Sequence, residues 1–504
     1  MVESVGPMEC CTHVAQALLA DLSHVAAVVG SPISHLAETL ATEADSFAWA
    51  LNEKSAVESA VGMSAAGRRS CVVIKHNGLS VALDSLLNAS LHGTGAALVV
   101  VVGDDPGAES STSVQDSRSL AQTARIPVFE PTFLGDTRRV VEAAIEASER
   151  CRIPVLIRVT PAMHLGCDRS RDRVDLLRGP FPRRSTPRID AHVAHGLTKM
   201  GRVQHHRLVT LPTVLEVIAE KDLSDEVCKD CSQTAMIAVG AAARYLPDDD
   251  RCRMVVRASW PVTDDVVAFA DRHPSTMVVE ESASVTEEAL RIRAQQPSRL
   301  QGRLSHHLPP DGSLTSEIVA KGLIGPSPTA WRDQESKTGS PPPGRYDTVF
   351  RAVARLHDTG VFVATDVGSS VRLCYPPHNG AEVALALGSA IGVANGVART
   401  RRRAIGVIGD FGLLHTGIQP LIEAAAAQLP VLAVVLANGV QAQTGGQPVP
   451  DVDFHRLISA CGVPHVEQWP LACMDSDATF ARLSRVLRGA LPAVVLITDK
   501  PSSR

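Results

Sequence analysis

Residues 404–448, AIGVIGDFGLLHTGIQPLIEAAAAQLPVLAVVLANGVQAQTGGQP, decide the fold class of this 504-residue chain. The pattern predicts a strand that ends at Gly409 and Asp410, a helix through about Gln428, and a second strand that ends at Asn438. In a right-handed βαβ unit the two strands are parallel, so Asp410 and Asn438 should leave the sheet at the same carboxyl edge. The segment therefore predicts a parallel α/β sheet with two oxygen-bearing side chains at one edge.

This predicted edge has two interpretations. A carboxylate, an amide oxygen and a nearby backbone carbonyl, that of Val440, suit a hard divalent ion such as Mg²⁺. The helix that begins near Leu413 points free N–H groups at the same place, which favours a diphosphate. The alternative is an ordinary turn with an N-capping Asp and a turn Asn. Spacing alone leaves both interpretations open.

Short apolar runs alternate with longer helical patterns along the whole chain, which is typical of parallel βαβ units. We predict domains at residues 1–170, 171–323 and 347–504, with a linker at 324–346 that is rich in Pro, Gly and Ser. Residues Glu53–Gly67 are predicted to form a helix. The predicted strands are residues 25–29, 70–74, 97–102, 153–159, 234–239, 253–258, 276–280, 361–365, 404–408, 431–436 and 493–498.

The composition disfavours two classes of partner. Aromatic residues make up 3% and the formal net charge is -5, so the chain lacks the stacking surface and the basic field used to bind nucleic acid or anionic lipid. No apolar run reaches the roughly 18 residues that cross a bilayer, and the start MVESVGPMECC does not resemble a secretory signal. We therefore expect a cytoplasmic protein that binds a small molecule or another protein.

The eleven cysteines are odd in number and scattered, which favours reduced thiols over a disulfide framework. Cys228 and Cys231 form a CxxC pair within DEVCKDCS, a charged stretch that we predict to be helical. Because no second pair lies at zinc or ferredoxin spacing, the pattern disfavours a metal or redox site there.

Several motifs resemble a known family. The GD at Gly409–Asp410, followed by a helix and a strand ending in Asn438, resembles the thiamine-diphosphate motif, which begins GDG and ends in two Asn. Phe411 and Ala437 depart from that motif, but neither departure removes a side-chain metal ligand. The stretches GDFGLLHTGI, with His415, and ANGVQAQTGGQPVP are similar to the α subunit of indolepyruvate:ferredoxin oxidoreductase.

The first block extends this resemblance through four further motifs. These are GSPIS (30–34), NEKSAVESAVGMSAAGRRS (52–70), KHNGLSVALD (75–84) and GDDPGAESSTSVQDSR (103–118). The resemblance covers most of residues 12–170 and 346–450. It implies two doubly wound parallel-sheet domains, one for the pyrimidine of thiamine diphosphate (1–170) and one for its diphosphate and Mg²⁺ (347–504), flanking a smaller α/β middle domain.

The resemblance also implies particular residues. Glu53 would hydrogen-bond N1′ of the aminopyrimidine from a poorly hydrated pocket that raises its pKa, although it is also an ordinary acid in the first turn of a helix. His76 is the second catalytic candidate, with a structural role as its alternative, and Glu58 should face elsewhere. Asp410, Asn438 and Val440 are the implied metal ligands. The implied cofactor-binding residues are Gly30, Ser31, Pro32, Glu53, Gly368, Gly388, Ser389, Gly409, Asp410, Phe411, Asn438 and Val440, and Leu387 would support the bent cofactor.

Three cationic side chains could attract the carboxylate of a 2-oxoacid. They are Lys75, His92 and Arg118.

Three functions follow from these expectations. The first is decarboxylation of an arylpyruvate-like 2-oxoacid, with the product protonated or passed to an acceptor. The second is the α subunit of a ferredoxin-linked oxidoreductase that forms an acyl-CoA with a separate cluster-bearing partner. The resemblance implies such a partner, because the resembled α subunits end in a domain whose clustered cysteines hold iron–sulfur clusters, and no CxxCxxC run occurs near Arg504. The third is a cofactor-binding scaffold without activity. Because Glu53 and Asp410 lie in different predicted domains, we expect the cofactor to bridge them within a homodimer or larger assembly.

Overall fold

The computed structural model describes residues 14–109, 111, 113–132, 134–164, 196–327 and 344–498. The chain divides into two compact units, Met1–Trp331 and Arg332–Arg504. The first unit contains two of the three main sheets and the second contains the third. Most of the predicted linker at 324–346 falls outside the described residues, and so does the predicted boundary between residues 170 and 171. The predicted domain boundaries therefore stay predictions.

The first sheet is parallel apart from one edge strand. Its order is β10-β5-β6-β4-β3-β1-β2, where β10 is Ala258–Trp260 from the next part of the chain. The central strands β3 and β4 are apolar and buried almost throughout, as expected where helices cover both faces of a parallel sheet. Its strands from this part of the chain are β1 (His24–Ala27), β2 (Phe47–Trp49), β3 (Ser70–Lys75), β4 (Leu98–Gly103), β5 (Val128–Phe129) and β6 (Val155–Val159). Its helices are Ser34–Glu43, Glu53–Ala65, His76–His92, Ser117–Ala124 and Leu134–Cys151.

The second sheet, which we call the middle sheet, has the order β12-β11-β8-β9-β7 and is parallel except for β7. The strands of this part of the chain are β7 (Ser224–Val227), β8 (Ala235–Val239), β9 (Arg253–Val256), β10 (Ala258–Trp260), β11 (Thr276–Val279) and β12 (Leu300–Gln301). The helices here are Lys199–His205, Leu211–Glu220, Asp264–Arg272, Val285–Arg293 and Ser316–Ile324.

Two predictions for this region were wrong. The single strand predicted at 253–258 is broken at Arg257, and β10 leaves the middle sheet to pair antiparallel with β5 of the first sheet. The break occurs because the Arg257 guanidinium turns to bind Asp136 and Asp225. The stretch DEVCKDCS is not helical: Ser224–Val227 forms edge strand β7, since backbone pairing with β9 outweighs the local preference of these polar residues.

The expectation that the cysteines are reduced thiols needs correction for one pair, whereas six other cysteines of the described residues are free. The structure joins Cys228 to Cys252 as a disulfide. Val227 pairs with Arg253 in the antiparallel register of β7 and β9, so the next residue outward on each strand is a cysteine. Sequence spacing alone could not show this, because the pair is created by the register and not by a recurring cysteine pattern.

Buried ion pairs connect the first sheet to the middle sheet within the first unit. Arg118 is fully buried and binds Glu280 at 2.5 Å and Asp116 at 2.6 Å. Glu280 follows β11 and also accepts hydrogen bonds from the backbone N–H groups of Thr286 and Glu287, both at 2.9 Å. Burial opposes the charge of Asp116, but the guanidinium of Arg118 outweighs it and holds the pKa of Asp116 at about 2. The charge of Arg118 is therefore paired with protein carboxylates. This corrects the expectation that Arg118 binds a substrate carboxylate.

The third sheet, in the second unit, is parallel throughout, with the order β14-β13-β15-β16-β20-β19. The strands of this unit are β13 (Phe362–Thr365), β14 (Val383–Ala384), β15 (Ala404–Gly409), β16 (Val431–Ala437), β17 (Val440–Gln441), β18 (Gln447–Pro448), β19 (His465–Pro470) and β20 (Ala493–Thr498). The helices are Asp347–Asp358, Ala390–Ala398, Asp410–Gly412, Ile418–Ala426, Phe454–Ala460 and Ser476–Arg488.

These sheets confirm the predicted multi-domain α/β class. The predicted parallel unit at 404–448 is present, because β15 and β16 pair in parallel with Gly409 opposite Leu436. In the part of the chain that the structure describes, no helix is both long and apolar enough to cross a bilayer.

Removing Arg118 should destabilise the fold more than removing an exposed arginine. Arg118→Ala leaves two buried carboxylates without their cation, so we expect the free energy of unfolding to fall by about 3–5 kcal/mol. Arg150→Ala is the control, because Arg150 pairs with Glu220 on the exposed surface and should change stability little. Denaturant midpoints measure both, and equal midpoints for the two variants would contradict the structural role of Arg118.

Candidate active site

The carboxyl edge of the third sheet gathers the residues predicted to bind metal. Asp410 follows β15 directly and is 2% exposed. Its Oδ1 accepts the N–H of Phe411 at 2.9 Å, and its Oδ2 accepts the N–H of Gly439 at 2.7 Å. Burial raises the pKa of Asp410, while these N–H groups act to lower it. One carboxylate therefore joins the turn after β15 to the loop after β16.

The loop after β16 supplies two further oxygen atoms. Asn438 lies one residue beyond β16, and its Oδ1 accepts the N–H of Val440 at 3.1 Å. Val440 begins β17, which pairs with β18 in a short hairpin that fixes the loop. A Cβ added at Gly409 or Gly439 would meet nothing within 4 Å. The turn thus combines carboxylate, amide and carbonyl oxygens with open space beside the backbone, which is a donor set suited to Mg²⁺.

Asp366 is a site residue that the sequence reasoning missed. It follows β13, is 1% exposed, and its Oδ1 accepts hydrogen bonds from the N–H of Gly368 at 3.1 Å and from the hydroxyl of Ser370 at 2.6 Å. Burial raises the pKa of Asp366, and the N–H groups of Gly388 and Gly409 act to lower it. Asp366 therefore brings three of the predicted cofactor glycines around one carboxyl group. The sequence feature that could have identified Asp366 is its position directly after a buried strand, whose carboxyl end lies at the same edge of the sheet as that of β15.

The Gly388 turn is shaped by the helix that follows Asp410. Gly388 has a φ of +82°, and a Cβ there would collide with the hydroxyl of Thr416. That hydroxyl donates to the carbonyl of Leu387 at 3.0 Å, while Ser389 accepts the N–H of Ala386 at 3.0 Å. Only glycine fits at position 388, because both the backbone conformation and the close approach exclude a side chain.

Glu53 occupies a buried position in the first unit. It is the first residue of helix Glu53–Ala65, whose cap Asn52 accepts the N–H of Lys54 at 2.9 Å. Glu53 is 6% exposed, and a Cβ added at Gly78 would lie 2.5 Å from its Oε1. Its carboxyl group therefore packs against the first turn of helix His76–His92. Glu58 instead faces solvent, where it pairs with Lys54, as expected.

Lys75 lies near Glu53, and Gly30 packs against the Lys75 side chain. Lys75 is largely buried, and this desolvation lowers its pKa, while the charges of Asp105 and Glu53 act to raise it. Its Nζ donates to the hydroxyl of Ser111 at 3.1 Å. A Cβ added at Gly30 would lie 2.5 Å from Cδ of Lys75, so Gly30, which begins the Gly30-Ser31-Pro32 turn, leaves room for the lysine stem.

The histidine candidates differ from expectation. His76 is fully buried, and its two ring nitrogens face the carbonyl oxygens of Gly103 at 3.2 Å and Ser113 at 3.0 Å. Both nitrogens thus face backbone carbonyls, and a neutral imidazole can donate to one of them, which favours the structural alternative for His76. His92 lies at the other end of the same helix, about 24 Å away at 1.5 Å per residue, where it contacts Arg202. The structure therefore does not bring His92 to Glu53.

Known proteins are similar to this chain over part or most of its length. Residues 366–497 match the family described as thiamine pyrophosphate enzyme, C-terminal TPP binding domain. The IorA subunit of indolepyruvate oxidoreductase from Methanothermobacter marburgensis is 29% identical over 500 residues, covering 90% of this chain and 80% of that protein. The IorA subunit from Archaeoglobus fulgidus is 26% identical over 508 residues, covering 90% of this chain and 79% of that protein.

The chain is a thiamine-diphosphate-dependent enzyme. Its resemblance to IorA subunits, first stated from sequence motifs, is confirmed.

Two solved structures match this chain at low sequence identity. The 2-oxoglutarate:ferredoxin oxidoreductase from Magnetococcus marinus matches with a TM-score of 0.47 and 16% identity, covering 62% of this chain and 64% of that chain. The 4-hydroxybenzoylformate decarboxylase from Rhodococcus jostii matches with a TM-score of 0.28 and 17% identity, covering 98% of this chain and 100% of that chain.

The contact between Gly78 and Glu53 gives a test for this enzyme. Gly78→Ala should displace the Glu53 carboxyl group and lower thiamine-diphosphate-dependent turnover by about 100-fold, because misplacing a reacting group by about 1 Å costs that much. Gly62→Ala is the control, since a Cβ there meets nothing within 4 Å and alanine is the better helix former. Steady-state kinetics measure both variants. Full activity of Gly78→Ala would show that the position of Glu53 does not matter.

Proposed function

We propose that this chain is the thiamine-diphosphate-binding subunit of an indolepyruvate-type 2-oxoacid oxidoreductase. The observation that supports the proposal best is the similarity to IorA subunits over nine tenths of the chain. A non-oxidative decarboxylase was our first expectation from the sequence. The oxidoreductase, our second hypothesis, agrees better with these relatives. The presence of Asp410 and the Gly-rich turns disfavours the third hypothesis, a scaffold without activity.

The diphosphate end of the cofactor is assigned to the edge of the third sheet. We propose that Asp410, Asn438 and the carbonyl of Val440 hold Mg²⁺, which completes its coordination with diphosphate oxygens and water. The turns at Gly368, Gly388 and Gly409 would bring backbone N–H groups to the diphosphate, and Ser389 and Phe411 adjoin them. Asp366 would act as a positioning residue, because it fixes these turns.

The pyrimidine end is assigned to Glu53. When bound, thiamine diphosphate supplies a carbon nucleophile and an electron sink for the loss of CO₂ from a 2-oxoacid. Glu53 would share a proton with N1′ of the pyrimidine from its buried position, where water does not compete. Lys75, the cation whose charge interacts with Glu53, is the candidate to attract the substrate carboxylate. We propose that the Gly30-Ser31-Pro32 turn, which adjoins Lys75, contributes to cofactor binding at this end.

The proposed reaction releases electrons and therefore requires a partner. Oxidation of a 2-oxoacid to an acyl-CoA and CO₂ yields two electrons, which we propose pass to a protein or subunit that carries redox centres. A homodimer or larger assembly and a cytoplasmic location stay predictions.

A turnover assay tests the oxidoreductase against the decarboxylase. The purified chain with its partner subunit, thiamine diphosphate, Mg²⁺ and CoA should reduce a viologen dye when indolepyruvate is added, and should form an acyl-CoA. Omitting CoA or the dye should stop turnover. Steady release of aldehyde without dye or CoA would instead support the decarboxylase and contradict our proposal.

Two substitutions should separate the two ends of the cofactor. Glu53→Gln should retain thiamine diphosphate but lower turnover by at least about 100-fold, which is typical for loss of a group that transfers a proton, whereas Asp410→Ala should lose Mg²⁺-dependent cofactor binding. Glu58→Gln is the matched control, because Glu58 lies on the same helix but faces solvent. Calorimetry measures binding, and the dye assay measures turnover. An active Glu53→Gln enzyme would overturn the assignment of Glu53.

A further inference from the structure

Four metal-ligating side chains converge at the edge of the middle sheet, in a region that the proposed function does not use. They are Cys228, Cys231, Cys252 and His273, and their ligand atoms all lie within 4.8 Å of one another. Cys252 and His273 are buried, whereas Cys228 and Cys231 are exposed. We call these four residues the Cys₃His cluster.

Three structural elements build the Cys₃His cluster. Cys228 follows β7 and Cys252 precedes β9, and the antiparallel register places them opposite each other. Cys231 is turned back toward both by the loop at Asp230, whose Oδ1 accepts the N–H of Ser232 at 2.9 Å and its hydroxyl at 2.6 Å. The Sγ of Cys231 lies 3.1 Å from that of Cys228 and 3.4 Å from that of Cys252.

The imidazole of His273 is oriented as a metal ligand. His273 follows helix Asp264–Arg272, and its Nδ1 lies 2.7 Å from the carbonyl oxygen of Phe269, to which it can donate. That bond leaves Nε2 as the lone-pair nitrogen, and Nε2 lies 3.9 Å from the Sγ of Cys228. Histidine ligands of metals usually donate their other ring N–H to a carbonyl or carboxylate, because this fixes the ring.

We propose that the reduced Cys₃His cluster binds one Zn²⁺ ion. Three thiolates and one imidazole form a common tetrahedral set for structural zinc, and Zn–S bonds of about 2.3 Å place the sulfur atoms about 3.8 Å apart. The Sγ of Cys231 lies 3.1 Å and 3.4 Å from the sulfur atoms of Cys228 and Cys252, and Nε2 of His273 lies 3.9 Å from that of Cys228. Cys228 and Cys252, which are joined in the structure, would separate once reduced, so that both become free ligands. The Cys228–Cys252 disulfide uses two of the four groups and gives no reason for the other two to converge. A single ion engages all four.

The zinc would fasten an edge strand that has little apolar surface of its own. Strand β7 is mostly exposed and is held by polar contacts, such as that of Glu226 with Arg272 at 2.8 Å. Zinc would connect the end of β7, the start of β9 and the end of helix Asp264–Arg272. Since all four positions are filled by protein, the site has a structural function and leaves no open position for a substrate.

Metal analysis of the full chain tests this proposal. Chain purified with reductant and zinc, then desalted, should retain one zinc ion per chain, and cobalt in its place should give a thiolate-to-cobalt charge-transfer absorption. Cys231→Ser should lose both signals, because it removes one ligand. Cys473→Ser is the matched control, since Cys473 is an exposed free cysteine outside the cluster, and it should keep both signals.

The substitution of Cys231 also separates zinc from the disulfide. A disulfide between Cys228 and Cys252 does not need Cys231, whereas the zinc site does. A chelator should lower the thermal unfolding temperature of the wild type and of Cys473→Ser, but should not lower that of Cys231→Ser further. Equal metal content in wild type and Cys231→Ser, iron in place of zinc, or a metal-free chain under reducing conditions would each overturn the proposal.

Discussion

The site in the second unit depends on one buried carboxylate that two loops share. Asp410 accepts the N–H of Phe411 from its own turn and the N–H of Gly439 from the loop after the neighbouring strand. These bonds exist because β15 and β16 are parallel, so that both strands end at the same edge. The cost of burying the carboxylate is offset by these N–H donors, and a divalent ion would offset it further. The sheet topology and the chemistry of the site are therefore one feature of the molecule.

The first unit shows how buried charge can serve structure or function. Arg118 is surrounded by Asp116, Glu280 and two backbone carbonyls, which satisfy the guanidinium and orient the middle sheet. Glu53 is also buried, at 6% exposed against 0% for Arg118, but it packs against a glycine and lies near Lys75. Burial alone does not identify a functional acid, because a structural ion pair needs burial as well.

The sequence predicted those parts of the fold that depend on local pattern. The apolar runs at 70–74, 404–408, 431–436 and 493–498 all became strands, because a buried parallel strand must be apolar on both faces. The run at 253–258 was predicted as one strand, yet Arg257 breaks it by turning toward acidic residues that lie far away in sequence. Asp366 was missed as a site residue, because its partners are loops brought together only by the sheet. The pairing of Cys228 with Cys252 likewise depends on strand register, which spacing does not reveal.

We propose that the edge of the third sheet binds a diphosphate through a divalent ion. Calorimetric titration of metal-free enzyme tests it most directly, with thiamine diphosphate and with thiamine, each with and without Mg²⁺. We expect saturable binding only when both the diphosphate and Mg²⁺ are present. Equal affinity for thiamine and thiamine diphosphate, or binding of the diphosphate that is unchanged without any divalent ion, would contradict it.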